Sequence, residues 1–170
     1  MTDSEILAHL DAAANASSVA RHVESRLPTL ERQLDDDPSA IMSWEPIPLE
    51  LYGPLPPEIK SSWIFVLREG TTTGAERHPN SHQRMMSYRG SADFPEIHDG
   101  EWRSHPLRSD RSAPIADRWA SIPPYTWHQA IVPPGKHWVV VSFHTVLAEE
   151  LIEERPTTDG VEGKAYLGAR

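Results

Sequence analysis

The sequence contains no cysteine, and this absence excludes several kinds of site at once. Without thiols the chain has no disulfide framework, no cysteine nucleophile and no thiolate zinc site. It also has no apolar run that approaches the roughly 20 residues a membrane-spanning helix needs. The N-terminus lacks the basic start and apolar core of a secretory signal, so a cytoplasmic protein is expected.

Positive charge is scarce as well. The 170 residues include 16 Lys and Arg against 25 Asp and Glu, which gives a net charge of -9. Phosphate backbones and anionic lipids repel such a chain, so neither nucleic acid nor a membrane is expected as a partner. The expected partner is a small-molecule substrate. A chain of this length fits a single domain that needs no metal merely to fold.

Residues 1–37 are predicted to form a helical arm. Thr2 and Glu5 have the spacing of a capping box, which satisfies backbone N–H groups at a helix start. Pro28 is expected to separate two helices, because proline removes a backbone donor and clashes with the preceding turn. An apolar stripe on such an arm must be buried against the rest of the chain or another subunit. The apolar residues near the helical period include Ile6, Leu10, Val19 and Val23.

Between residues 38 and 150 the pattern changes to short β-type runs separated by Gly, Pro, Asn and Asp. Asp99-Gly100 stands between two extended runs and predicts a tight hairpin. Many short strands at this spacing predict an all-β barrel or sandwich. Residues Leu147–Glu154 are predicted to form a short helix, and 151–170 a C-terminal tail. The predicted strands are Trp63–Leu67, Arg84–Tyr88, Pro95–His98, Glu101–Arg103 and Trp138–Val146.

One segment concentrates chemically active side chains. Glu76 and His78 are two residues apart, so an extended backbone points both to the same face. His82 follows a Pro-Asn-Ser turn that can swing it back towards this pair, and His128 lies in a later Pro-rich segment. Imidazole nitrogens with a carboxylate oxygen suit Fe(II), Mn, Ni, Co or Zn. Because histidines are also common at surfaces, the spacing alone leaves metal binding open.

The segment from Gly70 to Gly90 resembles the first motif of the cupins. That motif runs Gly, five residues, His-x-His, three or four residues, Glu, six residues, Gly. Here Gly70 is followed at the same spacing by Glu76-x-His78, then Gln83 and Gly90. Glutamate therefore replaces the first family histidine, and glutamine replaces the family glutamate.

A later segment is similar to the second cupin motif, Pro-x-Gly-x-x-His. Residues Pro123 to His128 match it, with Tyr125 in place of the glycine. The family asparagine that follows this motif is missing, since Val132 stands there. The resemblance covers about residues 63–146. It implies an all-β, cupin-type double-stranded β-helix, a jelly-roll barrel, to which the helical arm is added.

The resemblance also implies a ligand set. Some small cupins carry His-x-His-Pro-x-x-His and bind metal through all three histidines, and the segment from Glu76 to His82 has this spacing with its proline. We therefore expect Glu76, His78, His82 and His128 to hold one divalent ion, with Fe preferred and Mn, Ni, Co or Zn as alternatives. Gln83 is the substitute ligand if His82 faces outward.

Several further side chains are candidates for the wall of a substrate pocket. The alternation of a strand puts Met85 on the face of Gln83. The same alternation puts His144 either in the pocket or in a core between sheets, and the core is favoured. For each aromatic candidate, too, an ordinary core position is favoured. The candidates are Met85, Tyr88, Tyr125, Trp127 and His144.

Three functions fit these residues. The leading hypothesis is an oxidoreductase, a non-haem iron-type dioxygenase acting on a small organic substrate. The second is a metal-assisted isomerase or lyase, and the third is a barrel that binds a small ligand without turnover. No catalytic residue is assigned, because a fold by itself specifies no reaction. Cupins often dimerise, so a homodimer is also expected.

Overall fold

The computed structural model describes residues 1–166, in which two α-helices precede a series of short β-strands. Neither helix combines the length and apolar content that crossing a membrane would require. The helices are α1 (Asp3–Ala14) and α2 (Ser17–Asp36). The strands are β1 (Met42–Pro46), β2 (Ser61–Leu67), β3 (Gln83–Arg89), β4 (Ser91–Asp93), β5 (Glu96–His98), β6 (Glu101–Arg103), β7 (Pro106–Arg108), β8 (Trp119–Ile122), β9 (Trp138–His144), β10 (Ile152–Thr157) and β11 (Gly160–Ala165).

The helical arm is present, and its first helix begins as predicted. The Thr2 side chain accepts a hydrogen bond from the backbone of Glu5, whose carboxylate accepts one from the backbone of Thr2. The prediction that Pro28 separates the helices is wrong, because the chain breaks at Ala16 and Pro28 lies inside α2. Pro28 and Glu24 are both exposed, so water can satisfy the Glu24 carbonyl that proline leaves without a donor.

The apolar stripe of the arm packs on one face of a five-stranded antiparallel sheet. The strand order is β1-β2-β9-β3-β8, so β9 lies at the centre. Val139, Val141 and Phe143 of β9 face the helices, whereas Val140 and Ser142 face the other way. The helices thus cover what we call the outer face of the sheet, and the opposite face is its inner face.

The inner face is covered by a second layer made of short strands and isolated bridges. Strands β4 and β7 pair, as do β5 and β6, and the segments around 72–76, 93–96 and 128–131 are joined by single bridges. The resulting interior contains aromatic and aliphatic side chains from both layers, among them Trp63, Phe65, Phe94 and Trp138. This all-β architecture with two packed layers agrees with the sequence prediction.

The hairpin predicted at Asp99-Gly100 is confirmed. It joins β5 to β6, with His98 opposite Glu101. Asp99 and Gly100 both have positive φ, 54° and 83°. A two-residue type I′ turn needs positive φ at both positions, and the Asp-Gly pair accepts that conformation at low cost.

The C-terminal region differs from its prediction. The helix expected over Leu147–Glu154 is wrong, since only Ala148–Glu150 form a 3-10 turn and a strand begins at Ile152. Where a tail was expected, β10 and β11 form an antiparallel hairpin. This C-terminal hairpin docks on the segment that contains Glu76 and His78. Residues 167–170 of the expected tail lie outside the described residues.

Candidate metal centre

Three of the four predicted ligands converge beneath the C-terminal hairpin. Glu76, His78 and His128 each offer a donor atom, and these atoms all lie within 4.8 Å of one another. Glu76 and His128 exchange two backbone hydrogen bonds of 2.9 Å, so the two motif segments pair directly. Glu76 and His78 share a face because they are two residues apart on an extended segment. Backbone pairing alone therefore brings Glu76, His78 and His128 close together.

Both imidazole rings are fixed by backbone carbonyl groups. His78 Nδ1 lies 2.9 Å from the carbonyl oxygen of Ile152, and His128 Nδ1 lies 3.0 Å from that of Thr126. A carbonyl oxygen only accepts, so each Nδ1 carries a proton, and Nε2 is the ring nitrogen left for a ligand. His128 Nε2 is buried and has no hydrogen-bond partner. Carbonyl groups orient metal-binding histidines in this way, with the second nitrogen directed at the ion.

Glu76 divides its two oxygens between different neighbours. Its Oε2 accepts a hydrogen bond of 2.5 Å from Arg155 of β10, while Oε1 lies 3.6 Å from His128 Nε2. Burial alone would raise the pKa of Glu76, but its contact with His128 and the positive charge of Arg155 bring it below its ordinary value. The carboxylate is therefore ionised near neutral pH, and Oε1 faces the free nitrogen of His128.

Burial keeps His78 and His144 neutral. Together with the neighbouring His128, it lowers the pKa of His78 to about 4. His144, which is 1% exposed, has a pKa well below the ordinary value for the same reason. Neutral imidazole is the form that binds metal ions.

His82 does not join the group, contrary to the prediction. It immediately precedes β3, and its side chain points to the outer face, where Nε2 lies 2.8 Å from Ser121 Oγ and 3.8 Å from Asp3. The next residue, Gln83, points to the inner face. Its Nε2 donates to Ser142 Oγ over 3.3 Å, and its buried Oε1 has no partner. Strand alternation decides between the two residues, and it leaves Gln83 beside the site.

The predicted pocket residues separate into two groups. Met85 lines the inner cavity, and His144 is buried next to His78 with both ring nitrogens within hydrogen-bonding distance of serine hydroxyls. Tyr88 lies outside the barrel, because alternation points it at α2, where its hydroxyl donates to Glu24.

Two aromatic candidates flank Arg77 instead of the cavity. The Arg77 guanidinium lies 4.6 Å from the ring of Trp127 and 5.5 Å from that of Tyr125, which is 61% exposed. These cation–π contacts hold the rings on the exterior of the barrel. The expectation that Tyr88, Tyr125 and Trp127 wall the pocket is therefore wrong.

The inner cavity next to the three ligands is small, about 40 Å³. Its wall is mainly apolar, and Glu76, Gln83 and Thr73 supply the polar atoms. A larger groove of about 490 Å³ lies outside. The apolar lining of the inner cavity consists of Met42, Phe65, Leu67, Met85, Phe94, Ala130, Trp138, Val140 and Tyr166.

The sequence prediction missed the C-terminal contribution to this site. Ile152 orients His78, Arg155 holds Glu76, and Tyr166 closes the cavity. Burial raises the pKa of Tyr166 well above its ordinary value, and the nearby Glu76 raises it further, so its phenol is neutral. One signal was present, since Asp159-Gly160 separates two runs just as Asp99-Gly100 does.

Two imidazole nitrogens and one carboxylate oxygen match a known class of metal site. A set of two histidines and one carboxylate occupies one side of an ion and leaves the other coordination positions open. Here the neutral ring of His78, the ionised Glu76 and the unpartnered Nε2 of His128 all suit a divalent cation. The donors present fit a metal ion.

Solved structures that resemble this chain support the fold. CapF with the inhibitor 3-isopropenyl-tropolone matches at a TM-score of 0.51 and 13% identity, over 65% of this chain and 29% of that chain. CapF from Staphylococcus aureus matches at 0.50 and 12%, over 64% and 29%. The recombinant pro-11S globulin of pumpkin matches at 0.50 and 16%, over 67% and 28%. This chain therefore matches less than a third of each of those proteins.

No protein-family model matches the chain, and no curated protein matches its sequence. The structural matches nevertheless agree with the two sequence motifs. The fold is a cupin-type barrel with an N-terminal helical arm. At 12–16% identity the likeness extends to the fold alone.

Proposed function

We propose that this cupin-type barrel binds one divalent metal ion through Glu76, His78 and His128, and that it is an enzyme acting on a small organic substrate. One observation carries the proposal. His128 Nε2 is buried without a partner and faces Glu76 Oε1 at 3.6 Å. Nearly all buried polar atoms in proteins have a partner, so an unpartnered nitrogen opposite a carboxylate supports a cation bound between the two.

The surrounding residues support an ion at this position. The Ile152 and Thr126 carbonyl groups hold the two rings, and Arg155 holds Glu76 Oε2 so that Oε1 stays directed inward. Such outer contacts are typical of metal centres, where they fix the ligands before the ion arrives. Gln83 Oε1 adds a neutral acceptor from the same cavity wall.

Within this proposal, an iron-type dioxygenase is the reaction class that we favour. When bound, the ion would supply the redox chemistry for using O2, because three protein ligands leave coordination positions open. The chain itself contributes an apolar enclosure, in which Phe94, Trp138 and Val140 exclude bulk water from the reacting groups. One of the solved structures with this fold is named as a globulin, and a fold by itself specifies no reaction, so the reaction has to be argued from the site.

Metal analysis tests the proposal directly. Protein purified without chelator and reloaded with Fe(II), Mn(II) or Zn(II) should contain about one ion per chain by mass spectrometry. His78→Ala and His128→Ala should each lose nearly all of it, because two donors remain. His82→Ala is the matched control and should keep full occupancy, since that ring points to the outer face. Equal metal content in all three variants would contradict the proposal that His78 and His128 are metal ligands.

Oxygen consumption then tests the reaction class. Iron-loaded protein should consume O2 in the presence of a suitable substrate, and His128→Ala should consume none above background. Turnover of substrate without O2 uptake would favour the isomerase or lyase instead.

A further inference from the structure

Tyr166 closes the inner cavity with its own aromatic ring. The ring contacts those of Trp44, Trp63 and Phe65. The centroid distances are 6.0, 6.1 and 6.1 Å, within the range of aromatic pairs in contact. On another side it lies 5.9 Å from His78, a proposed metal ligand. We call Trp44, Trp63 and Phe65 the aromatic cage. The cage encloses a phenol that the chain itself supplies.

The space left beside Tyr166 is too small for an organic substrate. The inner cavity measures about 40 Å³, whereas an engineered protein cavity that binds benzene measures roughly 150 Å³. Tyr166 and Met42 line both this cavity and the outer groove of about 490 Å³, so they form the partition between the two. A substrate that reaches Glu76 from the groove must therefore displace one of these two side chains, and Tyr166 is the one with an aromatic ring.

Besides its ring contacts, Tyr166 makes few hydrogen bonds to the described residues. Its hydroxyl donates to Met42 Sδ over 3.9 Å, and sulfur is a weak acceptor. Its backbone N–H donates to the Leu151 carbonyl over 2.8 Å. Every residue of β11, which leads to Tyr166, is exposed, so this strand buries no side chain when it pairs with β10. Displacing the ring consequently disrupts little else.

The walls around the ring also offer unused hydrogen-bonding atoms. Trp63 Nε1 is a buried donor without a partner, and Gln83 Oε1 is a buried acceptor without one. Trp63 belongs to the cage and Gln83 lines the cavity. A hydroxyl group can accept from the first atom or donate to the second, whereas a hydrocarbon can do neither and leaves both unsatisfied at a cost.

We infer that the aromatic cage is the substrate subsite, that Tyr166 occupies it in place of the substrate, and that the substrate is a small phenol. The claim that phenol is the substrate rests on the proposed function. The claim that the cage binds a phenol does not require the metal. Aromatic walls select a flat ring, and the unpartnered donor and acceptor select its hydroxyl.

The test measures phenol binding to metal-free protein in chelator, by calorimetry and by tryptophan fluorescence. Phenol can bind only when the Tyr166 ring is displaced. If that state makes up at most ~10% of the free protein, removing the ring strengthens the apparent affinity for phenol at least about tenfold. Tyr166→Ala should therefore bind phenol at least about tenfold more tightly than the wild type. Tyr125→Ala, which removes an exposed ring outside the cage, should bind like the wild type.

Two related ligands separate the contributions of ring and hydroxyl. Toluene keeps the ring and should bind Tyr166→Ala about tenfold more weakly than phenol, as one unsatisfied buried polar group costs ~1–3 kcal/mol. Cyclohexanol keeps the hydroxyl and should also bind more weakly than phenol. If toluene binds as tightly as phenol, the site does not recognise a hydroxyl group. If cyclohexanol binds as tightly as phenol, the site does not select an aromatic ring.

A measurement on the unmodified chain keeps the inference testable even if Tyr166→Ala folds poorly. In protein labelled with 3-fluorotyrosine, saturating phenol should move the fluorine resonance of Tyr166 to the solvent-exposed position and leave that of Tyr125 unchanged. A Tyr166 resonance that does not move at saturating phenol would overturn the displacement. Because no metal is present, failure here is distinct from failure of the metal centre.

Discussion

The two faces of the five-stranded sheet differ in how completely their buried polar groups are paired. On the outer face, aliphatic side chains of the helices meet those of the strands, and charged groups at the edge meet opposite charges, as in Arg84 with Asp3 and Arg118 with Asp11. On the inner face, His128 Nε2 and Gln83 Oε1 are buried without partners. The outer face therefore contributes stability, whereas the inner face leaves polar atoms unsatisfied, as sites for a ligand do.

Neighbouring residues on one strand show the same contrast. His82 and Gln83 are adjacent, yet His82 meets Ser121 and Asp3 on the outer face, whereas Gln83 leaves its carbonyl oxygen free on the inner face. A shift of register by one residue would exchange the two roles. Substitutions on the two faces should accordingly differ in what they change: stability on the outer face, ligand binding on the inner one.

The largest expected effect is on the outer face. Leu30 of α2 is fully buried against the sheet, so Leu30→Ala should lower the free energy of unfolding by about 2–5 kcal/mol. Urea unfolding measures the change. The exposed neighbour Thr29→Ala is the control and should change it by less than about 0.5 kcal/mol. Metal content should be the same in both variants; its loss in folded Leu30→Ala would contradict the separation of the two faces.

An ion pair on the same face should follow with a smaller effect. Asp11 accepts hydrogen bonds from both terminal nitrogens of Arg118 and from Trp119 Nε1. Breaking a fully buried pair costs about 3–5 kcal/mol, and Asp11→Asn should cost about 2–3 kcal/mol because Asp11 is partly exposed. Asn15→Ala, which removes a neutral contact to Asp11, should cost less than Asp11→Asn in the same unfolding experiment.

The pair should also make stability depend on pH. Burial alone would raise the pKa of Asp11, but its hydrogen bonds to Arg118 and Trp119 outweigh burial and bring it below its ordinary value. A lowered folded pKa means that this contribution is present above the unfolded value of 3.8 and is lost as pH falls through the folded value. Asp11→Asn should remove that part of the acid dependence. An unchanged difference between the two proteins from pH 6 to pH 2 would contradict it.

Much of the architecture follows from local patterns in the sequence. The Thr2 capping box and the Asp99-Gly100 turn each specify their own element, because neighbours in sequence supply the contacts involved. Pro28 cannot be interpreted from local sequence alone. Whether it ends the helix depends on whether the Glu24 carbonyl can reach water, and this is decided by how the helix packs.

The site was predictable only in part for the same reason. Glu76, His78 and His128 belong to motifs with fixed spacing, so their convergence could be expected. Arg155 and Tyr166 reach the site through a hairpin whose docking depends on tertiary contacts between β10 and the segment at Arg77. Nothing local in the sequence places that hairpin.

Arg155 provides a prediction for the inner face. It holds Glu76 Oε2, so Arg155→Gln should weaken metal affinity by about 10–100-fold, the usual range for an outer contact of a ligand. Arg103→Gln, which breaks an exposed ion pair with Asp99, should leave affinity unchanged. Competition with a chromogenic chelator measures both. Equal affinities for Arg155→Gln and the wild type would show that Glu76 needs no such support.

The smallest expected effect concerns the loop that leads to His128. Tyr125 has φ of 66°, a left-handed conformation that costs an L-residue with a side chain roughly 1–2 kcal/mol, and it stands where the cupin motif has glycine. Tyr125→Gly and Tyr125→Ala both lose the contact with Arg77, but the glycine variant also loses the strain. The greater flexibility of glycine when unfolded offsets part of this gain, by roughly 0.5–1 kcal/mol. Tyr125→Gly should therefore be more stable than Tyr125→Ala by about 0.5–1 kcal/mol in urea unfolding, with equal metal content. If the alanine variant is the more stable of the two, the backbone at this position is not held in the left-handed conformation, and the turn before His128 is set by something other than its φ.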